Sequence, residues 1–178
     1  MTSDEPLRPF ALWLTGLPAS GKSSIVEKLL PQLEKMGVKP EVLESDALRR
    51  TLTPQASYSQ QERDLFYRAL AFTGSRLVAH GVSVIFDATA SRRAYREFAA
   101  SLIPELKIVS VDCPLEVCMA RDRKGTYLKG QRGESSTVPG LQVPYEEPLS
   151  PDLRIDTTKL SPEAGAAKVL ALVLQHEA

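Results

Sequence analysis

The strongest chemical signal in this chain is the run Gly16-Leu17-Pro18-Ala19-Ser20-Gly21-Lys22-Ser23, spaced as G-x-x-x-x-G-K-S. Its glycines let the backbone fold back so that successive N–H groups point inward. Together with the dipole of a following helix they form a phosphate cradle. In this pattern Lys22 reaches the β- and γ-phosphates of a nucleoside triphosphate, and the Ser23 hydroxyl sits on Mg²⁺. Gly16 through Ser24 are therefore the expected nucleotide-binding residues. A glycine-rich turn means little without its flanks. Here the apolar run Phe10-Ala11-Leu12-Trp13-Leu14 precedes it, and a helix-period segment from Ser23 to Met36 follows.

Transfer of a phosphoryl group also needs charge neutralisation and an oriented acceptor. Ligands of parallel α/β folds sit beyond the carboxyl ends of the strands, so the polar residues at each strand exit are candidates. Glu44-Ser45-Asp46 ends the second apolar run, with Arg49 and Arg50 a turn later. Asp46 is the first candidate for orienting or deprotonating an acceptor hydroxyl and Glu44 the second, although a simple helix cap at Asp46 would fit the same position. Asp87 follows Val84-Ile85-Phe86, as a carboxylate holding the Mg²⁺ shell would, or as an ordinary strand-end residue would. Asp112 and Asp156-Thr157-Thr158 end two further runs. Arg49, Arg63 and Arg68 are candidates for acceptor anions, each with a solvated surface arginine as the plain alternative. His80 and His176 offer neither triad nor metal-site logic and read as structural.

Apolar runs alternate with helix-period segments, which predicts an α/β fold: a mainly parallel five-stranded sheet with helices on both faces. Strands are expected at about 10–15, 39–44, 82–86, 107–112 and 153–155. Helices are expected at about 22–35, after Asp46, from a Ser59/Glu62 capping box to His80, and at 91–102, 115–121 and 162–175. On the long helix Leu65, Ala69 and Phe72 read as packing residues. The segment 122–151 is rich in glycine and proline and has little periodicity. A loop of that length in a small domain is usually functional, and its content (Arg121, Arg123, Lys124, Tyr127, Lys129, Arg132, Tyr145) suits a lid that closes over substrates. No linker interrupts the chain, so a single domain over 1–178 is expected.

The chain has 178 residues, with 22 basic against 22 acidic. That balance disfavours a nucleic-acid-binding surface. The segment from Met1 to Pro9 is polar, without a signal-peptide pattern, and no apolar run approaches the ~20 residues of a membrane span. Cys113 and Cys118 match neither a redox nor a zinc spacing and read as reduced, half-buried thiols of a cytoplasmic protein.

With these residues in view, the chain resembles the adenylylsulfate kinase family. The resemblance lies in Val111-Asp112-Cys113-Pro114-Leu115-Glu116-Val117-Cys118, Ala120-Arg121-Asp122, Lys124-Gly125-x-Tyr127-x-Lys129, Gly133-Glu134, Pro144-Tyr145-Glu146 and Pro151 to Thr157, together with the glycine loop. It implies a P-loop NTPase three-layer sandwich, ATP and Mg²⁺ as ligands, γ-phosphate transfer to the 3′-hydroxyl of adenylylsulfate, and a homodimer. It also implies that Arg121, Asp156 and Thr157 touch the nucleotide, and that Arg49, Tyr58, Arg63, Lys124 and Lys129 serve the acceptor.

The sequence departs from the family on the acceptor side. Phe66 stands where the family has Asn, Ala90 where it has Ser, and Val138 where it has a Phe that stacks on the acceptor's adenine. Tyr58 keeps the other half of that aromatic clamp. Losing a polar partner or a stacked ring weakens binding by about 1–3 kcal/mol each. Two alternatives therefore accompany adenylylsulfate: a kinase of the same fold acting on another anionic, hydroxylated metabolite or nucleotide, and a silent nucleotide-binding domain.

Overall fold

Strand β1 (Ala11–Thr15) is buried along its whole length, and the alternation of its side chains divides the core in two. Ala11 and Trp13 face one side, Leu12 and Leu14 the other. The remaining strands are β2 (Glu41–Glu44), β3 (Val84–Asp87), β4 (Lys107–Asp112) and β5 (Leu153–Asp156). All pair in parallel, in the order β2-β3-β1-β4-β5. The α/β expectation, with five parallel strands, is met. The computed structural model describes residues 7–175; His176 and most of the polar N-terminal segment lie outside them.

Helices α1 (Lys22–Lys35) and α7 (Pro162–Leu174) cover the Leu12/Leu14 face. The other face is covered by α3 (Gln60–Ala79) and α4 (Arg93–Leu102). At the centre of that second core the rings of Trp13 and Phe86 stack at 4.6 Å and 12°. The indole N–H of Trp13 donates to Ala88 O at 3.0 Å, so burial leaves no orphaned donor on the ring. The close approach of α3 to this ring depends on Gly74: a Cβ there would lie 2.1 Å from Phe86 Cζ. Alanine in place of glycine gains about 1 kcal/mol of helix propensity. Overpacking a filled core costs about 1–3 kcal/mol, and at 2.1 Å against a ring the upper end applies. Gly74→Ala is therefore expected to lower stability in chemical denaturation by about 1–2 kcal/mol net; a gain in stability would contradict this packing.

The packing face of α3 differs from the expected one. Leu65 is 70% and Phe72 60% exposed, while Phe66, Tyr67, Leu70, Ala71 and Gly74 face the sheet. Both sets have helical spacing. The choice between them falls to Gly74 and Tyr67, the residues that fit against the Trp13–Phe86 stack. The Ser59 cap forms as expected, its Oγ accepting from Glu62 N. The second reading to change is at α2 (Ser45–Leu52): Glu44, not Asp46, is its cap, accepting from Ala47 N at 3.2 Å. Asp46 lies in the first turn, its carboxylate free for other work.

Helix α5 (Leu115–Arg121) leads into the expected lid, which is not wholly irregular. It holds the short helix α6 (Thr126–Gln131). A small core of its own, centred on Cys118, Tyr127 and Val138, packs on Leu17 and Ala19 of the glycine loop. Cys118 is thus fully buried rather than half-buried, and burial pushes its thiol up to about 12. Val138 belongs to this lid core.

Candidate active site

Strand register places carboxylates in a row along the carboxyl edge of the sheet. Glu44 pairs with Asp87, and Asp112 with Asp156. β1 enters this row between β3 and β4, the point where successive connections diverge and a crevice opens. Into it projects the loop 16–21. Gly16 has no room for a side chain, since a Cβ would lie 2.4 Å from Val111 O. Gly21 has φ +106°, a conformation that glycine adopts without strain, at the N-terminus of α1. Ala19 takes φ +60°, a local strain of about 1–3 kcal/mol of the kind that collects at functional sites. Ser20 Oγ is buried without a partner among the described residues, while Ser24 is exposed on the first turn of α1.

Lys22 is buried and folds over the loop, donating to Gly16 O at 3.0 Å and Leu17 O at 2.9 Å, with Thr89 Oγ1 at 3.5 Å. Burial lowers its pKa, and the nearby Asp87 and Asp46 carboxylates oppose that shift. Ser23 Oγ donates to Asp87 Oδ2 at 2.6 Å. A hydroxyl and a carboxylate in contact at the mouth of a phosphate cradle are hard oxygen donors of the kind Mg²⁺ takes beside phosphate oxygens, so these two residues fit the expected metal. The described residues hold no cluster of three or more His, Cys, Asp or Glu that would suit a metal held by protein alone.

Across the crevice, Lys124 of the lid donates to Asp46 Oδ2 at 2.7 Å and lies 3.6 Å from Glu44 Oε1. The Asp46 bond raises the Lys124 pKa. The turn from β2 into α2 thus brings both acidic candidates to one ammonium. Arg49 and Arg63 are buried beside them. Arg63 donates to Tyr58 O at 3.0 Å and to Thr137 O of the lid at 2.7 Å, and burial lowers its pKa. Tyr58, at φ +53° and 40% exposed, brings its ring near both guanidinium groups, 5.0 Å from Arg49 and 5.4 Å from Arg63. Arg68 is exposed and lies over Phe98 at 4.3 Å, apart from this group. Lys129 is exposed on α6, in no ion pair among the described residues.

On the other flank, Arg121 donates to Thr157 Oγ1 and Thr157 O, both at 3.0 Å, and Thr157 Oγ1 donates to Ser20 O at 2.8 Å. Arg121, Thr157 and the loop are therefore joined. Nearby, a hollow of about 320 Å³ is walled by Leu17, Cys113, Tyr145 and Asp156, among others. Asp156 is held down to about 2, first by the Thr158 hydroxyl and then by Lys159 and Thr158 N. Its folded pKa is below its ordinary 3.8, so the stabilisation is present above about pH 4 and is lost as pH falls toward 2. Thr158→Val is expected to return the Asp156 pKa toward 3.8 in an NMR titration of the carboxyl carbon. A pKa left near 2 would contradict the hydroxyl's leading part.

Several contacts of this site have no signature in the sequence. Arg96, 3% exposed, donates to Ala90 O, Glu146 O and Thr15 Oγ1, tying the returning lid to the crevice floor. Ala90 takes φ +44°, its N–H donating to Tyr67 OH at 3.1 Å. Tyr127 OH donates to Pro18 O at 2.9 Å, fixing lid to loop. Only the density of arginines and tyrosines around positions 89–96 and 121–145 hinted at these ties.

Comparison with known proteins gives consistent matches in sequence and in fold. The family model described as adenylylsulphate kinase matches residues 8–156. A probable adenylyl-sulfate kinase of Archaeoglobus fulgidus is 39% identical over 150 residues, covering 84% of this chain and 97% of its own length. The adenylyl-sulfate kinase of Microcystis aeruginosa is 37% identical over 162 residues, covering 91% and 90%. Among solved structures, the Mycobacterium tuberculosis APS kinase in complex with AMPPNP and APS aligns with a TM-score of 0.88 at 31% identity, over 95% of this chain and 99% of that one. No helix among the described residues is long and apolar enough to cross a membrane.

Proposed function

This chain belongs to the adenylylsulphate kinase family, and from that premise we propose that it is a cytoplasmic enzyme transferring the γ-phosphate of ATP to the 3′-hydroxyl of adenylylsulfate. The observation that carries the reading is the pairing across one crevice of Lys22 with Ser23–Asp87 on one side and Asp46–Lys124 on the other. Phosphoryl transfer is mostly positioning and charge neutralisation, and each part has a residue here.

Backbone N–H groups of the loop and of the first turn of α1, Pro18 having none to give, cradle the triphosphate, and Lys22 leaves its loop carbonyls for the β- and γ-phosphates. Ser23 and Asp87 would hold Mg²⁺, which when bound would neutralise charge on the phosphate oxygens. Arg121 and Thr157, already bonded to each other and to Ser20, flank the nucleotide with Asp156 beyond. On the acceptor side Asp46 orients and deprotonates the hydroxyl. Arg49 and Arg63 face the acceptor's anionic groups, and Tyr58 offers a ring for its base. Lys124 moves its charge from Asp46 to the transferring group, and Lys129 adds a second lid cation. The described residues serve as a single kinase domain, and a homodimer is part of the same reading.

The test is ATP consumption with Mg²⁺ in the presence of adenylylsulfate, beside a panel of other nucleotides and sugar phosphates. Turnover that requires adenylylsulfate and stops when Mg²⁺ is chelated supports the reading. Turnover on another acceptor, or ATP binding without transfer to any of them, overturns it.

A further inference from the structure

Arg49 is held in an unusual setting for a residue meant to meet an anion. Its guanidinium carbon lies 3.8 Å from the centre of the Phe66 ring, 5.0 Å from Tyr58 and 5.9 Å from Tyr67. Phe66 is buried, and its ring meets that of Tyr67 edge-on at 5.4 Å, so the platform cannot easily turn away. At the rim of this box Glu62 accepts from Arg49 Nη1 at 3.3 Å. The same carboxylate accepts from Ser57 N, Ser57 Oγ and Tyr58 N, which fixes the turn that presents Tyr58. The guanidinium is therefore fixed on its face by a ring and on its edge by a carboxylate that is itself anchored.

We propose that Phe66 is a specificity-determining positioning residue of the acceptor site. Its ring holds Arg49 by cation–π stacking, so that acceptor affinity rests on one preorganised guanidinium. This rests on the function proposed above. A side-chain amide at position 66 could offer its own hydrogen bond but no stacking face. A phenylalanine offers no hydrogen bond. It instead reduces the freedom that Arg49 must lose when an anion arrives, and affinity gained in this way comes from preorganisation rather than from a new contact. The acceptor site of this chain should accordingly depend more steeply on the acceptor's anionic group than on polar contacts around it.

The substitution that separates stacking from bulk is Phe66→Leu, which stays apolar and close in volume but has no π face. Cation–π contacts at partly desolvated sites correspond to a change of roughly 3- to 30-fold in a binding constant. The expected result is an adenylylsulfate KM raised by that factor, a kcat changed much less, and an ATP KM within about twofold of the starting protein. Phe66→Tyr should restore the acceptor KM, and in an Arg49→Lys background Phe66→Leu should add little. In the free protein, the Arg49 Nε–Hε NMR signal should carry a ring-current shift that Phe66→Leu removes and Phe66→Tyr keeps. An unchanged acceptor KM in a folded Phe66→Leu protein overturns the proposal, as does a parallel rise in both KM values, or an Arg49 signal indifferent to the ring. A protein inactive on adenylylsulfate before any substitution contradicts the proposed function, and the Arg49 signal still decides whether the stacking exists.

Discussion

Replacing Lys22 by methionine is expected to lower kcat/KM for phosphoryl transfer by at least roughly 10²–10³-fold, the scale set by removing one preorganised charge from a reacting oxygen. The effect should fall at the upper end, because this ammonium is buried, where charge interactions are screened least. Stability should move the other way or not at all. Burial lowers the Lys22 pKa, so the folded protein disfavours the charged form. That penalty is full below the lowered folded pKa, fades as pH rises from there, and is gone above the ordinary value of 10.5. Methionine keeps the length and packing and has no charge to desolvate. Thermal melting at neutral pH should therefore give a midpoint equal to or above that of the starting protein, alongside collapsed initial rates. Transfer within tenfold of the starting value in a folded variant would remove Lys22 from the phosphate site.

The second large effect is expected at Asp46. A positioned base contributes about 10²–10⁴ in rate, so Asp46→Asn should lower kcat by that order while the ATP KM changes little. The substitution also leaves Lys124 without its strongest partner, and the raised Lys124 pKa should drop toward its ordinary value. Little stability is at stake, because the pair is half or more exposed, and such pairs contribute about 0–1 kcal/mol. Glu44 is the internal control. Its carboxylate caps α2, and glutamine can still accept from Ala47 N, so Glu44→Gln should leave kcat within a few-fold. Single-turnover rates of the two variants measured together decide the assignment: a Glu44→Gln defect larger than that of Asp46→Asn would exchange their roles.

Much of this arrangement is legible in the sequence because short-range physics dictates it. The strand, glycine loop and helix around residues 10–35 announce themselves through an apolar run, two constrained glycines and a helical period. The strands ending at Asp87, Asp112 and Asp156 are readable for similar reasons. What escapes is decided by tertiary contact. The packing face of α3 is chosen by the stack of Trp13 on Phe86, two rings far apart in sequence, so Leu65 and Phe72 look like core and are not. Asp46 looks like a cap because caps follow strands, but α2 starts at Ser45, so the cap position falls to Glu44, which accepts from Ala47 N. Position 138 looks like a lost stacking face. In the structure Val138 fills the lid's own core with Cys118 and Tyr127. Phe66 looks like a lost polar contact until Arg49 is seen lying on its ring. The proposed acceptor side is less legible than the proposed nucleotide side because it draws on α2, α3 and the segment after α5, whereas most of the glycine-loop cradle is one continuous segment.

The most direct test of the central claim is the identity of the product. The chain would be incubated with ATP, Mg²⁺ and adenylylsulfate and the mixture followed by phosphorus NMR. The account predicts a new phosphomonoester signal coupled to the ribose 3′-proton, growing in step with ADP and missing with Lys22→Met. ADP formed together with inorganic phosphate and no new ester, or an ester formed on a different hydroxyl, would contradict it.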